Sequence, residues 1–278
     1  MRIPRERAIA VALAAALLPL QIAADGDPGA RALVEAAFRA MFDYPSVRSV
    51  RIRIYRGETR VTERAFDVVY KRSGRRGQTL LRFTEPEYLR GTTLLVIEAK
   101  HGWNDIWLYQ PERRRPRRVG AGHRRDPFFG SDLTFEDLEH HDWQRYAPRR
   151  LPDAVVQGRP AHVVEAIAPE TSQYAKVVAS IERERSALLR LDLYAEGSET
   201  PVKAIEIPAE DVVAQGDLLL PRRMWVRQIG RAARTEVIFE RIRADPDIAD
   251  RVFETMRLER SGEDLYELVE RLRSGEGR

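Results

Sequence analysis

The chain has 278 residues, with 47 Lys and Arg against 43 Asp and Glu, a formal charge of +4 and no Cys. The missing thiols exclude disulfides, thiolate metal sites and a cysteine nucleophile, and so even a charge balance is not that of a nucleic-acid binder. Charged residues, 32% of the chain, interleave with apolar ones in a globular pattern, and the length suits one large domain or two small ones.

Residues 1–24 have the layout of a secretory signal peptide: a basic head with Arg2, Arg5 and Arg7, an apolar stretch from Ala8 to Leu20, and small residues before Asp25. The apolar stretch is short for a bilayer span, which needs about 20 residues. An uncleaved N-terminal anchor is the alternative. With no Cys after the apolar stretch there is no thiol to carry a lipid. The leader therefore predicts a mature chain that starts near Asp25 and is soluble outside the cytoplasm.

Asp27 followed by Pro28 is a helix start, a capping side chain before a proline at the first helical position. Val34, Phe38, Met41 and Phe42 recur at helical spacing, so a helix is expected from Pro28 to Asp43, ended by Pro45. The period then becomes two. Strands are expected around 50–54, 66–70 and 81–83, over Thr92–Glu98 and Trp103–Tyr109, then over Ala161–Ala168, Lys176–Glu182, Leu188–Ala195, Val202–Ile207, Leu218–Val226 and Thr235–Ile242. That is about eleven strands with no crossover helices between them, and such a run favours one wide antiparallel sheet that curls. Two helical pieces interrupt it. One spans Thr134–His141, where Thr134 and Asp137 have capping-box spacing; the other is Gly262–Arg273, with a stripe of Leu265, Leu268, Val269 and Leu272. Residues 25–273 form a single domain in this reading, and 274–278 a loose polar tail.

The densest stretch lies between Arg90 and Trp143. Trp103, Trp107 and Tyr109 fall on one face of a strand, and Phe128, Phe129, Phe135 and Trp143 follow. Arg113, Arg114, Arg115, Arg117, Arg118, Arg124 and Arg125 crowd the connection between them. For the aromatics, core packing is the plain alternative to cavity lining. For the arginines, a solvated loop is the alternative to contact with phosphate headgroups or an acidic partner.

This stretch resembles the bacterial outer-membrane lipoprotein-sorting proteins, the LolA-like group. The resemblance rests on Arg90-Gly91-Thr92, on Trp107-Leu108-Tyr109 with Pro111 after it, on Arg117 and Arg118, and on Phe129-Gly130-Ser131-Asp132 leading to Phe135-Glu136-Asp137-Leu138. It covers about a fifth of the chain. What it implies is a mainly β, α+β fold: a large curled antiparallel sheet, an incomplete barrel wrapped over a few helices, whose apolar concavity takes acyl chains. It also implies a periplasmic location, lipoprotein or lipid cargo, transient membrane contact, and an inner-membrane transporter, of the efflux type in the longer relatives, with an outer-membrane acceptor. The chain is longer and richer in arginine than the lipoprotein carriers of the group, so a different hydrophobic cargo stays open.

On this reading Trp103, Trp107, Tyr109, Phe128, Phe129, Phe135 and Trp143 line or gate the ligand site, and Arg117, Arg118, Arg124 and Arg125 contact headgroups or a partner. No enzyme is expected, since there is no nucleophile elbow, phosphate loop or dinucleotide fingerprint. No cofactor or metal is expected either: Glu136 with His140, and Asp137 with His141, offer two ligands per helix face where a catalytic zinc usually takes three. The chain is expected to act as a monomer without nucleic acid. A periplasmic sensor or regulator of mislocalised lipid or lipoprotein, working through a protein partner, is the second reading.

Overall fold

In the computed structural model, which describes residues 27–74, 76–139, 142–244 and 246–274, the expected first helix is present as α1 (Pro28–Met41). The Asp27 carboxylate accepts from the Gly29 amide at 2.8 Å and Pro28 takes the first helical position, which relieves one of the unpaired amides at a helix start. Ala30, Val34, Ala37 and Met41 form its buried stripe. The helix stops short of Asp43 because the amides of Phe42 and Asp43 both turn back to the Phe38 carbonyl, at 2.7 and 3.0 Å. The expected leader, His140, His141 and the tail beyond 274 lie outside the described residues.

Six strands follow as an antiparallel meander: β1 (Ser46–Arg56), β2 (Thr59–Ser73), β3 (Arg76–Glu85), β4 (Thr93–Ile97), β5 (Asp105–Tyr109) and β6 (Arg117–Arg118). After a long irregular segment come β7 (Ala147–Val156), β8 (Arg159–Ile167), β9 (Lys176–Glu182), β10 (Leu188–Tyr194), β11 (Lys203–Glu206), β12 (Val212–Gln215), β13 (Leu218–Pro221), β14 (Arg223–Gln228) and β15 (Ala233–Ala244). A second helix, α2 (Ser261–Ser274), ends the described chain. Thirteen strands form one sheet in the order β6-β5-β4-β3-β2-β1-β15-β14-β11-β10-β9-β8-β7, while β12 and β13 pair separately. The two halves are joined where β15 returns to β1, with Ile52 opposite Val237 on one side and Arg64 on the other. The sheet does not close and leaves β6 and β7 as its edges.

The strand count exceeds the expected eleven for identifiable reasons. β7 carries Pro148 and Pro152 and is mostly exposed, so no alternation marks it, and proline is tolerated because it is an edge. The expected strand Leu218–Val226 breaks into β13 and β14 at Pro221-Arg222. The strand expected from Trp103 starts only at Asp105, after Gly102 at φ +74°. The helix expected over Thr134–His141 is a single turn, Glu136–Leu138. Its capping box does form, with the Thr134 amide donating to Asp137 Oδ2 at 2.7 Å and the Asp137 amide to Thr134 Oγ1 at 3.4 Å.

The inner face of the sheet buries two adjoining apolar clusters. One packs α1 against β8, β9 and β10 with Trp143 and Tyr146. The other gathers Val50, Ile52, Phe66, Leu81, Phe83, Ile106, Leu108 and Phe239 beneath Phe128 and Leu133. Phe42, Ile205 and Met224 touch both. The outer face divides. Residues 248–269 cover Val47, Val69, Leu80, Leu95 and Tyr109. Much of the rest carries ion pairs such as half-buried Arg51 with Glu63, Glu85 and Glu240, each worth about 0–1 kcal/mol where water still reaches the pair.

Candidate functional site

The irregular segment Arg124–Glu139 crosses the inner face and packs into the half of it over β1–β5. Pro127 and Thr134 bridge its two arms, and the Phe128 amide donates to the Leu133 carbonyl at 2.7 Å. At the tip, Phe129 has φ +47° and Gly130 φ +79°. Left-handed backbone is costly for an aromatic residue, about 1–2 kcal/mol, and here it lets consecutive phenylalanines both point inward. Phe128 is fully buried. Its ring lies 5.7 Å from Phe83, 6.1 Å from Phe66, 5.0 Å from Phe129 and 5.7 Å from Phe135, and Phe129 sits 4.7 Å from Phe83. These are ordinary edge-to-face and offset contacts between aromatics. The segment thus places three phenylalanines over the inner face of β1–β5.

Polar latches hold the segment at its periphery. Thr235 of β15 donates to Asp132 Oδ2 at 2.7 Å and accepts from the Asp132 amide at 2.9 Å. Glu136 accepts from the Ser172 hydroxyl at 2.6 Å and the Gln173 amide at 3.0 Å. Asp137 pairs with Lys203 of β11 and accepts from the Tyr174 hydroxyl at 2.8 Å. Glu139 pairs with Arg124 and accepts from Asn104 at 2.5 Å. All four acids are buried at their side chains. Burial pushes Glu139 up to about 7 and is the largest effect on it, with Arg124 pulling the other way; burial also raises Glu136, against its Ser172 and Gln173 hydrogen bonds. Buried carboxylates are tolerable only when paired and hydrogen-bonded, so each latch works as a unit.

The sequence-predicted ligand residues do not form one set. Phe128, Phe129 and Phe135 come together as described. Trp107 and Tyr109 face the other side of β5, against residues 248–269, because the alternating partners Ile106 and Leu108 take the inner face. Trp103 lies before the strand, 39% exposed, with the Arg124 guanidinium 4.6 Å over its ring. Trp143 packs 4.8 Å from Phe38 of α1 and 4.9 Å from Tyr146. Of the expected headgroup contacts, Arg117 and Arg118 are exposed on β6, with Arg118 paired to Asp105, and Arg125 is exposed. Arg124 is only 5% exposed and its charge is committed to Glu139, which corrects its expected surface role.

Sequence reasoning missed Phe66, Phe83, Ile106 and Leu108, which complete the inner wall, and Lys203 and Thr235, which hold the latches. Lys203 carried a readable sign: it is a lysine in phase with Ile205 and Ile207, the inward side of an alternating strand. A cleft of about 730 Å³ opens between α1, the β2–β3 turn and the loop before β5, with Phe38 and Trp143 in its wall beside Asp43, Arg72, Glu98 and His101. Among the described residues no three His, Asp or Glu side chains converge to hold a metal ion, and no described helix is long and apolar enough to cross a membrane.

A family model described as "Uncharacterized protein" matches residues 75–260. No curated protein matches the sequence. Among solved structures, an outer membrane lipoprotein-sorting protein domain from Vibrio parahaemolyticus superimposes with a TM-score of 0.75 at 19% identity, over 83% of this chain and 98% of that one. A DUF1329 family protein from Desulfovibrio piger gives 0.75 at 22% identity over 83% and 98%. A LolA superfamily protein from Nitrosomonas europaea gives 0.65 at 17% identity over 81% and 97%. The chain belongs to the family of the model that matches residues 75–260, and its fold is that of the LolA-like lipoprotein-sorting proteins.

Proposed function

We propose that this protein is a periplasmic carrier that buries acyl chains of lipoproteins or other lipids against the inner face of its sheet and moves them toward the outer membrane. The observation that carries the reading is the phenylalanine-bearing segment Arg124–Glu139, which occupies an aromatic-lined interior and is tied down by side-chain latches at its rim. A segment of that build can be exchanged for a ligand of similar chemistry. Each methylene taken out of water gains about 0.8 kcal/mol, so an acyl chain can replace Phe128, Phe129 and Phe135 without any covalent step. The cleft beside Phe38 and Trp143 is the way in. Arg117, Arg118 and Arg125, exposed near the β6 edge, contact headgroups or a partner. An inner-membrane transporter of the efflux type supplies the cargo and an outer-membrane acceptor receives it. The chemistry is binding and release, with no catalytic step.

The test is mass spectrometry of lipids extracted from the protein purified from the periplasm without detergent, together with uptake of a fluorescent fatty acid. Bound lipid, or saturable uptake displaced by unlabelled fatty acid, is expected. A protein that carries no lipid and takes up no probe overturns the carrier reading and favours a sensor working through a protein partner.

A further inference from the structure

One end of the sheet gathers three turns around a single side chain. Arg82 of β3 donates to the Gly91 carbonyl at 3.2 Å, to Thr93 Oγ1 at 3.1 Å and to Ser261 Oγ at 2.8 Å. Ser261 follows the turn Thr255–Arg260. Gly91 closes the turn Glu87–Leu89, and a β-carbon there would lie 3.2 Å from Pro111, the first residue of the turn Pro111–Arg113. The turn Thr255–Arg260 packs on β4 and β5, and β5 ends at Tyr109, two residues before Pro111. Each turn is anchored inward by an apolar residue or by β5: Leu89, Leu258 and Tyr109 are buried.

What these turns present outward is unusual for a soluble surface. Met256 is 90% exposed and Tyr88 65%, the first of them the most exposed large apolar side chain among the described residues. On the neighbouring turn Arg113, Arg114 and Arg115 are exposed, and none of the three has an ion-pair partner among the described residues. Arg114 sits at φ +52°, which forces the chain to turn within the cluster. Scattered exposed hydrophobics need no explanation, but exposed apolar tips on turns that also carry three unpaired guanidiniums match the interfacial zone of a bilayer. A tyrosine settles at headgroup depth with its ring in and its hydroxyl out, and guanidiniums bind phosphate in two-pronged fashion.

We propose that this end of the sheet docks on an anionic lipid bilayer, with Met256 and Tyr88 entering the interface and Arg113, Arg114 and Arg115 holding lipid phosphates. The docking residues are distinct from the interior assigned to cargo, so docking does not depend on cargo being bound. An acidic protein would pair with the arginines but leaves Met256 and Tyr88 without a role, which is why the bilayer is preferred.

The test is cosedimentation of the protein, as purified from the periplasm, with vesicles of phosphatidylcholine alone or with phosphatidylglycerol added. Binding to the anionic vesicles that weakens with salt is expected, with little on the neutral ones. Each basic residue near an anionic surface is worth about a five-fold change in partitioning, so R113Q/R114Q/R115Q should lose roughly 100-fold. M256S/Y88S should keep the salt-sensitive part of binding and lose the part that survives high salt. All five side chains are exposed, and unchanged circular dichroism melts serve as the folding control. Equal binding to both vesicle types, absence of binding to either, or full binding by the triple arginine variant overturns the proposal; fatty-acid uptake measured on the same variants reports separately on the interior.

Discussion

Replacing Lys203 with Met tests whether the Arg124–Glu139 segment is held by its latches. The Lys203 ammonium and the Asp137 carboxylate are 5% and 3% exposed at their side chains, and Lys203 also lies 5.5 Å over the Tyr174 ring. Removing the cation leaves Asp137 buried with only the Tyr174 hydroxyl and the Thr134 amide to solvate it. Loss of one partner of a buried pair typically costs about 3–5 kcal/mol, and the two remaining hydrogen bonds put this case toward the lower end, about 3 kcal/mol. Urea denaturation reads that loss directly. The companion D137L/K203M removes both charges and should recover most of it, because an apolar pair no longer carries an uncompensated ion. The same K203M variant should take up a fluorescent fatty acid faster than the parent, since the segment is freer to leave. Stability within about 0.5 kcal/mol of the parent, the range of an ordinary surface substitution, together with unchanged uptake, would refute the latch.

Phe128 is fully buried among four other phenylalanines, so F128A should destabilise by about 3–5 kcal/mol in urea, and added fatty acid should restore part of that loss by filling the space. Gly91 has φ +83° and a β-carbon there would press on Arg82 Nη2 at 3.1 Å and Pro111 at 3.2 Å; G91A should cost at least about 1–2 kcal/mol, read as a lowered thermal midpoint. Burial holds Glu139 up at about 7 against 4.5 for the free side chain, so between about pH 4.5 and 7 the packed segment keeps a proton that the released segment gives up, and Glu139 faces Arg124 as a full carboxylate only above that range. The segment's stability from this group is therefore full below about pH 4.5 and falls as pH rises to about 7, a change of order 1–3 kcal/mol. Probe uptake should be easier at pH 8 than at pH 5, and E139Q should flatten that difference.

The β fold was legible because its strands are half-buried and alternate. Leu189, Leu191 and Leu193 face inward while Arg190 and Asp192 pair with each other outside, and period-two patterning of that kind survives in any sequence. β7 was not legible, since an edge strand with two prolines has no apolar face to display. The aromatic site was half legible. Phe128, Phe129 and Phe135 are adjacent in sequence and in space. Trp107 and Tyr109 misled because they are the larger residues of β5, yet both faces of that strand are covered and the smaller Ile106 and Leu108 took the interior. Size does not reveal which face is inner when a C-terminal segment more than a hundred residues away covers the other. Arg124 misled similarly. It stands in a run of solvated arginines, and only the fold brings Glu139 and Asn104 beside it.

An interior filled by the chain's own phenylalanines reconciles two demands on a carrier. An empty apolar concavity would expose surface that invites aggregation, and a permanently packed one would admit nothing. A plug held by peripheral polar contacts separates these terms. In the proposed carrier its rings would keep the unloaded interior dry, while the latches at Asp132, Glu136, Asp137 and Glu139 would set the threshold for displacement. Each latch opens into water and leaves no charge buried alone, so hydrogen bonds to charged groups at about 1.5–3 kcal/mol apiece put the cost of opening two of them at about 3–6 kcal/mol. Burial of about 16 methylenes yields on the order of 12 kcal/mol, the size needed to offset the latches together with the displaced phenylalanines at about 1.5–3 kcal/mol per ring, whereas a chain of about 6 methylenes yields about 5 and falls short. Under the proposed exchange the latches therefore select for chain length, and weakening one of them, as in K203M, should extend binding to shorter acyl chains before it alters affinity for long ones.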